Sequence, residues 1–86
     1  MSDQWQERNK PARLERRYTF QEYSALSDFL ERAAELSERE DLFPDLGFGK
    51  DYVNVTIYAD EDSEKLSDTH HHFAQELDKL FNAKEH

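Results

Sequence analysis

Cysteine is absent from the 86-residue chain, which excludes disulfides and thiolate metal sites and fits the cytoplasm. Glycine is nearly absent: Gly47 and Gly49 flank Phe48 and precede a strand pattern, too few and wrongly placed to cradle a phosphate at a helix start. No apolar run approaches the roughly 18 residues of a membrane span. No charged-then-apolar leader opens the chain, so a cytoplasmic location is expected. Cations are scarce too: 11 Lys and Arg stand against 20 Asp and Glu, a formal net charge of −9. Such a surface repels nucleic acid phosphates and anionic lipid, and neither is an expected partner.

The shortage of cations is uneven. Residues 1–20 hold five basic and three acidic side chains, a net of +2, which leaves −11 for residues 21–86. The ordinary consequence is a solvated, self-repelling surface; the sharper one is an acidic face matched to a basic patch on a protein partner. At this length only roughly 60% of the unfolded surface is buried on folding, so one small domain is expected and an oligomeric partner is plausible.

Residues 1–11 are polar, end at Pro11, and are expected to form a flexible arm. Trp5 is its exception, a side chain more suited to packing on its own domain than on a partner. A single domain is expected over 12–83. Leu14-Glu15-Arg16-Arg17-Tyr18-Thr19-Phe20 alternates, which places Leu14, Tyr18 and Phe20 on one strand face with Arg16 among them. An arginine there either snorkels to the rim or pairs with a carboxylate.

From Gln21 to about Glu40 the period becomes helical, with Tyr23, Leu26, Phe29, Leu30, Ala33, Ala34 and Leu36 along one stripe. Pro44 disfavours helix at Phe43 and ends the run near Asp41 or Leu42. Gly47 and Gly49 frame a short strand or bulge. Val53-Asn54-Val55-Thr56-Ile57-Tyr58-Ala59 is the strongest strand pattern, with Val53, Val55 and Ile57 facing the core. Ser67 suits the N-cap of a final helix whose stripe is Leu66, His70, Phe73, Ala74, Leu77, Leu80 and Phe81. The order of elements predicts an α+β domain: an antiparallel sheet with two helices packed on one face.

Several of these stretches, in order, resemble the pterin-4a-carbinolamine dehydratase family. The strand Leu14-x-Arg16-x-Tyr18-x-Phe20 is similar to the family's L-x-R-x-F-x-F, which makes Arg16 a scaffold residue. Glu38-x-x-x-Leu42-Phe43-Pro44 resembles its E-x-x-x-H-H-P, and Val53-x-Val55-x-Ile57-x-Ala59-Asp60 resembles V-x-I-x-L-x-T-H. Lys65-Leu66-Ser67 corresponds to the G-L-T that opens the last helix. The resemblance spans about residues 12–81. It also implies a degenerate former site, made of Glu38, Leu42, Phe43, Pro44 and Asp60, in which all three family histidines are replaced. Imidazole is the side chain suited to moving protons near neutral pH, and hydrocarbon cannot do it. Leu42 and Phe43 are expected to fill or close the former pocket. The family's long N-terminal helix is missing or replaced by the short arm.

Degenerate members of this kind resemble the dehydratase-like factors of α-carboxysome gene sets, which act in RuBisCO assembly. That resemblance implies a noncatalytic, chaperone-like chain that binds the RuBisCO large subunit or an assembly intermediate, without a cofactor. The alternative is a dehydratase with residual or altered activity. A dimerisation module for a transcription factor is a third reading.

No other constellation competes. His70-His71-His72 points about 100° apart at each step on a helix and cannot converge on one ion, so no metal site is expected. The serines sit in caps and on solvated faces without a partnering base. The better candidate for a partner surface is the outer sheet face, where Tyr52, Asn54, Thr56 and Tyr58 stand beside Arg13 and Arg17 if the two strands pair. Tyrosine and arginine are the residues that anchor protein interfaces. Two occupants are open for it, a protein client and a second copy in a homodimer.

Overall fold

The computed structural model describes residues 5–10, 12–59 and 65–84. The alternating stretch becomes β2 (Arg13–Thr19), preceded by a short β1 (Gln6–Arg8) and followed by α1 (Tyr23–Glu40). A second strand pair follows, β3 (Asp45–Phe48) and β4 (Tyr52–Tyr58), and α2 (Asp68–Lys84) closes the order. The four strands form one antiparallel sheet in the order β1-β2-β4-β3. The expected α+β architecture of two helices with an antiparallel sheet is what forms.

Period-2 sidedness decides where the core lies. Leu14 and Tyr18 of β2 and Val53, Val55 and Ile57 of β4 are buried in one cluster with Leu26, Phe29, Ala33 and Leu36 of α1 and Phe73, Ala74 and Leu77 of α2. Among the described residues, the opposite face of the sheet receives no helix. Tyr18 touches Phe29 at 4.8 Å and Phe81 at 4.9 Å between ring centroids, so aromatic side chains join the central strand to both helices.

Three features depart from the sequence reading. Residues 6–8 are not loose: they pair with β2 in the register Gln6–Glu15, Glu7–Leu14 and Arg8–Arg13. All three are exposed, so the strand carries no apolar alternation by which to read it. Tyr23 sits on the helical stripe by spacing but is exposed, because it is the first residue of α1 and stands beyond the packed part of the helix. Helix α1 begins at Tyr23 and not Gln21, a shift within the ordinary uncertainty of helix ends.

The helix boundaries have local causes. Asp41 turns left-handed at φ 55°, and the N–H groups of Asp41 and Leu42 both donate to the Ser37 carbonyl, the latter at 3.1 Å. This is a Schellman closure, with Leu42 as its apolar residue packed against the core. At α2, Ser67 precedes the helix and its carbonyl accepts from the N–H of His71 at 3.2 Å. His70 Nδ1 reaches back to accept from the Ser67 N–H at 2.9 Å, the role that Glu or Gln has in a capping box. His70 is buried at that position, and His71 and His72 are exposed.

Candidate functional site

The segment Glu38–Pro44 divides where the sequence treats it as one unit. Leu42 turns inward to the edge of the core, and Phe43 stays 69% exposed. Of the two expected roles, filling the pocket or closing it, Leu42 joins the edge of the core and Phe43 stands at the surface. Consecutive residues leaving a left-handed helix end point in different directions, and the Schellman contact takes Leu42. Phe43 and Pro44 instead line a shallow cleft of about 220 Å³ with Ala34, Ser37, Glu38 and Leu46. Among the described lining residues Glu38 is the one carboxylate, and none carries an imidazole. Asp60, the remaining residue expected in the degenerate site, lies outside the described residues.

A second cluster is polar and part-buried at the junction of β2 and α2. Arg16 lies with its guanidinium carbon 4.0 Å from the centroid of the Tyr18 ring, and its Nη1 is 2.5 Å from Asp78 Oδ1. The Tyr18 hydroxyl donates to the same oxygen at 2.6 Å, and the Trp5 indole N–H donates to Asp78 at 3.1 Å. Of the two routes open to Arg16, pairing with a carboxylate is the one taken. Trp5 packs on its own domain, edge-on to Tyr18 at 6.3 Å, and fixes the start of β1. Asp78 escaped the sequence reading, though it falls four residues after Ala74 on the apolar stripe of α2. A carboxylate on that stripe and an arginine on the facing strand are complementary exceptions to the apolar pattern.

Burial pushes the Tyr18 phenol well above its usual range, reinforced by its hydrogen bond to Asp78 and by the carboxylate charge. The folded chain therefore holds this proton where the unfolded chain releases it, above about pH 10. Stability from this group is complete below that pH and declines as pH rises through it, by about 1.4 kcal/mol per unit while the phenol stays protonated only in the folded state. Tyr18→Phe removes this share. Urea unfolding between pH 9 and 11 is expected to give a shallower alkaline decline for the variant, and parallel slopes would contradict the assignment.

The outer sheet face collects the remaining sequence candidates. Pairing of β2 with β4 sets Arg13 opposite Tyr58, Glu15 opposite Thr56, Arg17 opposite Asn54 and Thr19 opposite Tyr52. All six proposed partner-binding residues thus share one uncovered face. Arg13 Nε lies 2.6 Å from Glu15 Oε2, and Arg8 Nε lies 3.4 Å from Oε1 of the same carboxylate. The hydrogen bond from Arg13 and the charges of both arginines hold the Glu15 carboxyl below its usual range. Arg17 is held differently: its Nε donates to Asn54 Oδ1 at 2.9 Å, and its guanidinium carbon stands 4.7 Å from the Tyr52 ring centroid. On the inner side of β3, Leu46 and Phe48 are exposed beyond α1 and, with Phe43, form an apolar margin.

Among the described residues, no group of three potential ligands is placed to hold a metal ion, and no helix is long and apolar enough to cross a membrane.

The comparisons agree with this geometry. The family model for pterin 4 alpha carbinolamine dehydratase matches residues 1–80. A solved pterin dehydratase-like protein, described as a RuBisCO assembly factor in the alpha-carboxysome, is 35% identical with a TM-score of 0.81. The match covers 90% of this chain and 88% of that one. A transcriptional coactivator/pterin dehydratase from Brucella melitensis shares the fold at a TM-score of 0.81 and 22% identity, over 91% of this chain and 82% of that one. No curated protein sequence matches the chain.

Proposed function

The chain belongs to the pterin 4 alpha carbinolamine dehydratase family, and within that family we propose that it is a noncatalytic RuBisCO assembly factor of α-carboxysome systems. It binds the RuBisCO large subunit or an assembly intermediate and raises the yield of assembled enzyme. The observation that carries this reading is the 35% identity, over nine-tenths of the chain, to a protein described as such a factor.

The segment that resembles the family's catalytic motif supports the same direction. Proton transfer at a pterin carbon needs a group that gains and loses a proton near neutral pH. In the segment that resembles the family's E-x-x-x-H-H-P, Leu42 closes a helix and Phe43 faces solvent, and neither side chain can carry a proton. Glu38 stands at the cleft with no second acid beside it among the described lining residues. The scaffold is kept for binding, with Arg13, Arg17, Tyr52, Asn54, Thr56 and Tyr58 as the client surface. The reading entails a cytoplasmic chain that works as a homodimer, without a cofactor.

Co-expression of the chain with the large and small subunits of an α-carboxysome RuBisCO is expected to raise the amount of assembled enzyme on native gels severalfold. The chain is also expected to be retained with the large subunit in a pull-down. No change in assembly together with no retention refutes the proposal. Stopped-flow decay of the 4a-carbinolamine at the uncatalysed rate is the accompanying expectation, and acceleration by the chain would restore the enzymatic alternative.

A further inference from the structure

Cations on the outer sheet face are not equivalent. Arg8 and Arg13 converge on one carboxylate, Glu15, so their charge is largely spent within the chain. Arg17 makes no ion pair among the described residues, although it is exposed on a chain of net charge −9. A free cation on a flexible stem is ordinary. This one is held at two points, through Nε by the Asn54 side-chain oxygen and against the face of Tyr52.

Tyr52 is itself fixed. A Cβ added at Gly49 would run into the Tyr52 ring, so the ring lies directly on the glycine backbone. The Gly49 N–H also donates to the Tyr52 carbonyl at 3.0 Å and closes the β3–β4 turn. The absence of a side chain at 49 leaves room for the ring, the ring supports the guanidinium, and Asn54 sets its rotation. The Nη groups of Arg17 remain for an outside acceptor. A planar guanidinium whose orientation is already set loses little rotamer freedom on binding, and its fork matches a carboxylate in a bidentate pair.

We propose that Arg17, oriented by Asn54 and Tyr52, is a carboxylate-reading site for an acidic segment of the protein partner. The partner's identity rests on the assembly-factor reading above; the chemistry of the site does not. The local pairing of an oriented guanidinium with a carboxylate selects this occupant, against the repulsion of the chain's net charge. The rest of the chain is acidic and repels anions at long range, so a long polyanion such as nucleic acid is disfavoured where a single aspartate or glutamate can be taken locally. Tyr58, 46% exposed on the same face, adds a half-apolar anchor of the kind found at interface centres.

The test has one arm without RuBisCO and one with it. In the first, the ¹⁵N-labelled chain is titrated with a hexaglutamate peptide, with hexalysine as control. Hexaglutamate is expected to shift the Arg17 Nε–H, the Asn54 side-chain amide and the backbone amides of 17, 52 and 54, and Arg17→Glu is expected to abolish those shifts. Shifts absent there, or equal in Arg17→Glu, overturn the proposal. In the second arm, Arg17→Glu is expected to weaken retention of the large subunit on the order of 100-fold and Arg17→Lys, which keeps charge but loses the fork, about 10-fold. Gly49→Ala, which displaces the Tyr52 ring, is expected to fall between Arg17→Lys and the unaltered chain.

Melting curves of these variants check that the fold is kept. If the unaltered chain retains the large subunit and Arg17→Glu does so equally, this inference fails and the assembly reading stands. If hexaglutamate shifts the site but the unaltered chain ignores the large subunit, the carboxylate site stands and the assembly reading fails. A change of oligomeric mass in Arg17→Glu, measured by light scattering, would show a second copy seated on this face and overturn the proposal.

Discussion

Asp78→Ala is expected to lower the free energy of unfolding by about 3–5 kcal/mol, the range for removing one partner of a buried ion pair. The pair is part-buried, with the Arg16 side chain 12% and the Asp78 side chain 19% exposed, which places the expected loss at the lower end of that range. Alanine would take away the acceptor shared by the Arg16 guanidinium, the Tyr18 hydroxyl and the Trp5 indole. It would also leave a cation over the Tyr18 ring with no counter-charge, and Arg16 Nε already has no hydrogen-bond partner among the described residues. Small domains are stable by about 5–15 kcal/mol, so the loss is a large part of the total. Urea unfolding at pH 7 measures it, and Trp5 fluorescence reports on the release of β1 in the same experiment. A loss under about 1 kcal/mol would mean that water already solvates the pair as it does surface bridges.

A double substitution separates specificity from stability in this cluster. Arg16→Met with Asp78→Leu removes both charges together, and well-packed apolar replacements of buried pairs are often neutral or stabilising by about 1–4 kcal/mol. The double variant is therefore expected to recover most of what Asp78→Ala loses. It does not replace the acceptor of the Trp5 N–H, so the tie between β1 and α2 would be lost even where global stability returns. The ion pair then reads as the clasp of the N-terminal strand more than as a net source of stability.

That cluster also marks how far the sequence is legible. Arg16 was visible because it breaks a period-2 pattern in which every other inward residue is apolar. Asp78 breaks the helical stripe of α2 in the same way, yet helical patterns tolerate a polar residue at a stripe edge, so alone it gives no signal. Only the tertiary crossing of β2 and α2 shows that the two exceptions cancel. Leu42 and Phe43 illustrate the opposite limit. Their apolar character was plain, but direction after a helix end depends on the left-handed turn at Asp41, which local spacing does not encode. Strand β1 was unreadable for a third reason: its three residues are all exposed, and its hydrogen bonds to β2 leave no mark on residue type. The outer face was legible because pairing register follows from two strong alternating strands.

Phe29→Ala is expected to cost about 3–5 kcal/mol, the range for deleting a buried aromatic ring. Phe29 has no solvent exposure, and its ring lies 4.8 Å from Tyr18, 5.5 Å from Phe20 and 6.4 Å from Phe81 between centroids. Those partners belong to β2, to the residue just after it, and to α2, so the ring stands where α1 meets both other layers. A cavity there cannot close without moving a helix. Phe29→Leu refills part of the volume and is expected to recover about half, whereas Tyr23→Ala, at an exposed position on the same helix, is expected to stay within about 0.5 kcal/mol. The loss is one of packing, so it is expected to be insensitive to salt and flat between pH 6 and 9. Tyr18 touches Phe29 through its ring and Asp78 through its hydroxyl, so the two large effects are not independent. The double variant Phe29→Ala with Asp78→Ala is expected to lose less than the sum, with a coupling of about 0.5–3 kcal/mol. Strict additivity would show that Tyr18 keeps its position when either neighbour is lost. Coupling would mean that this one side chain locks β2 in place, and β2 is the strand that presents Arg17 on its other face.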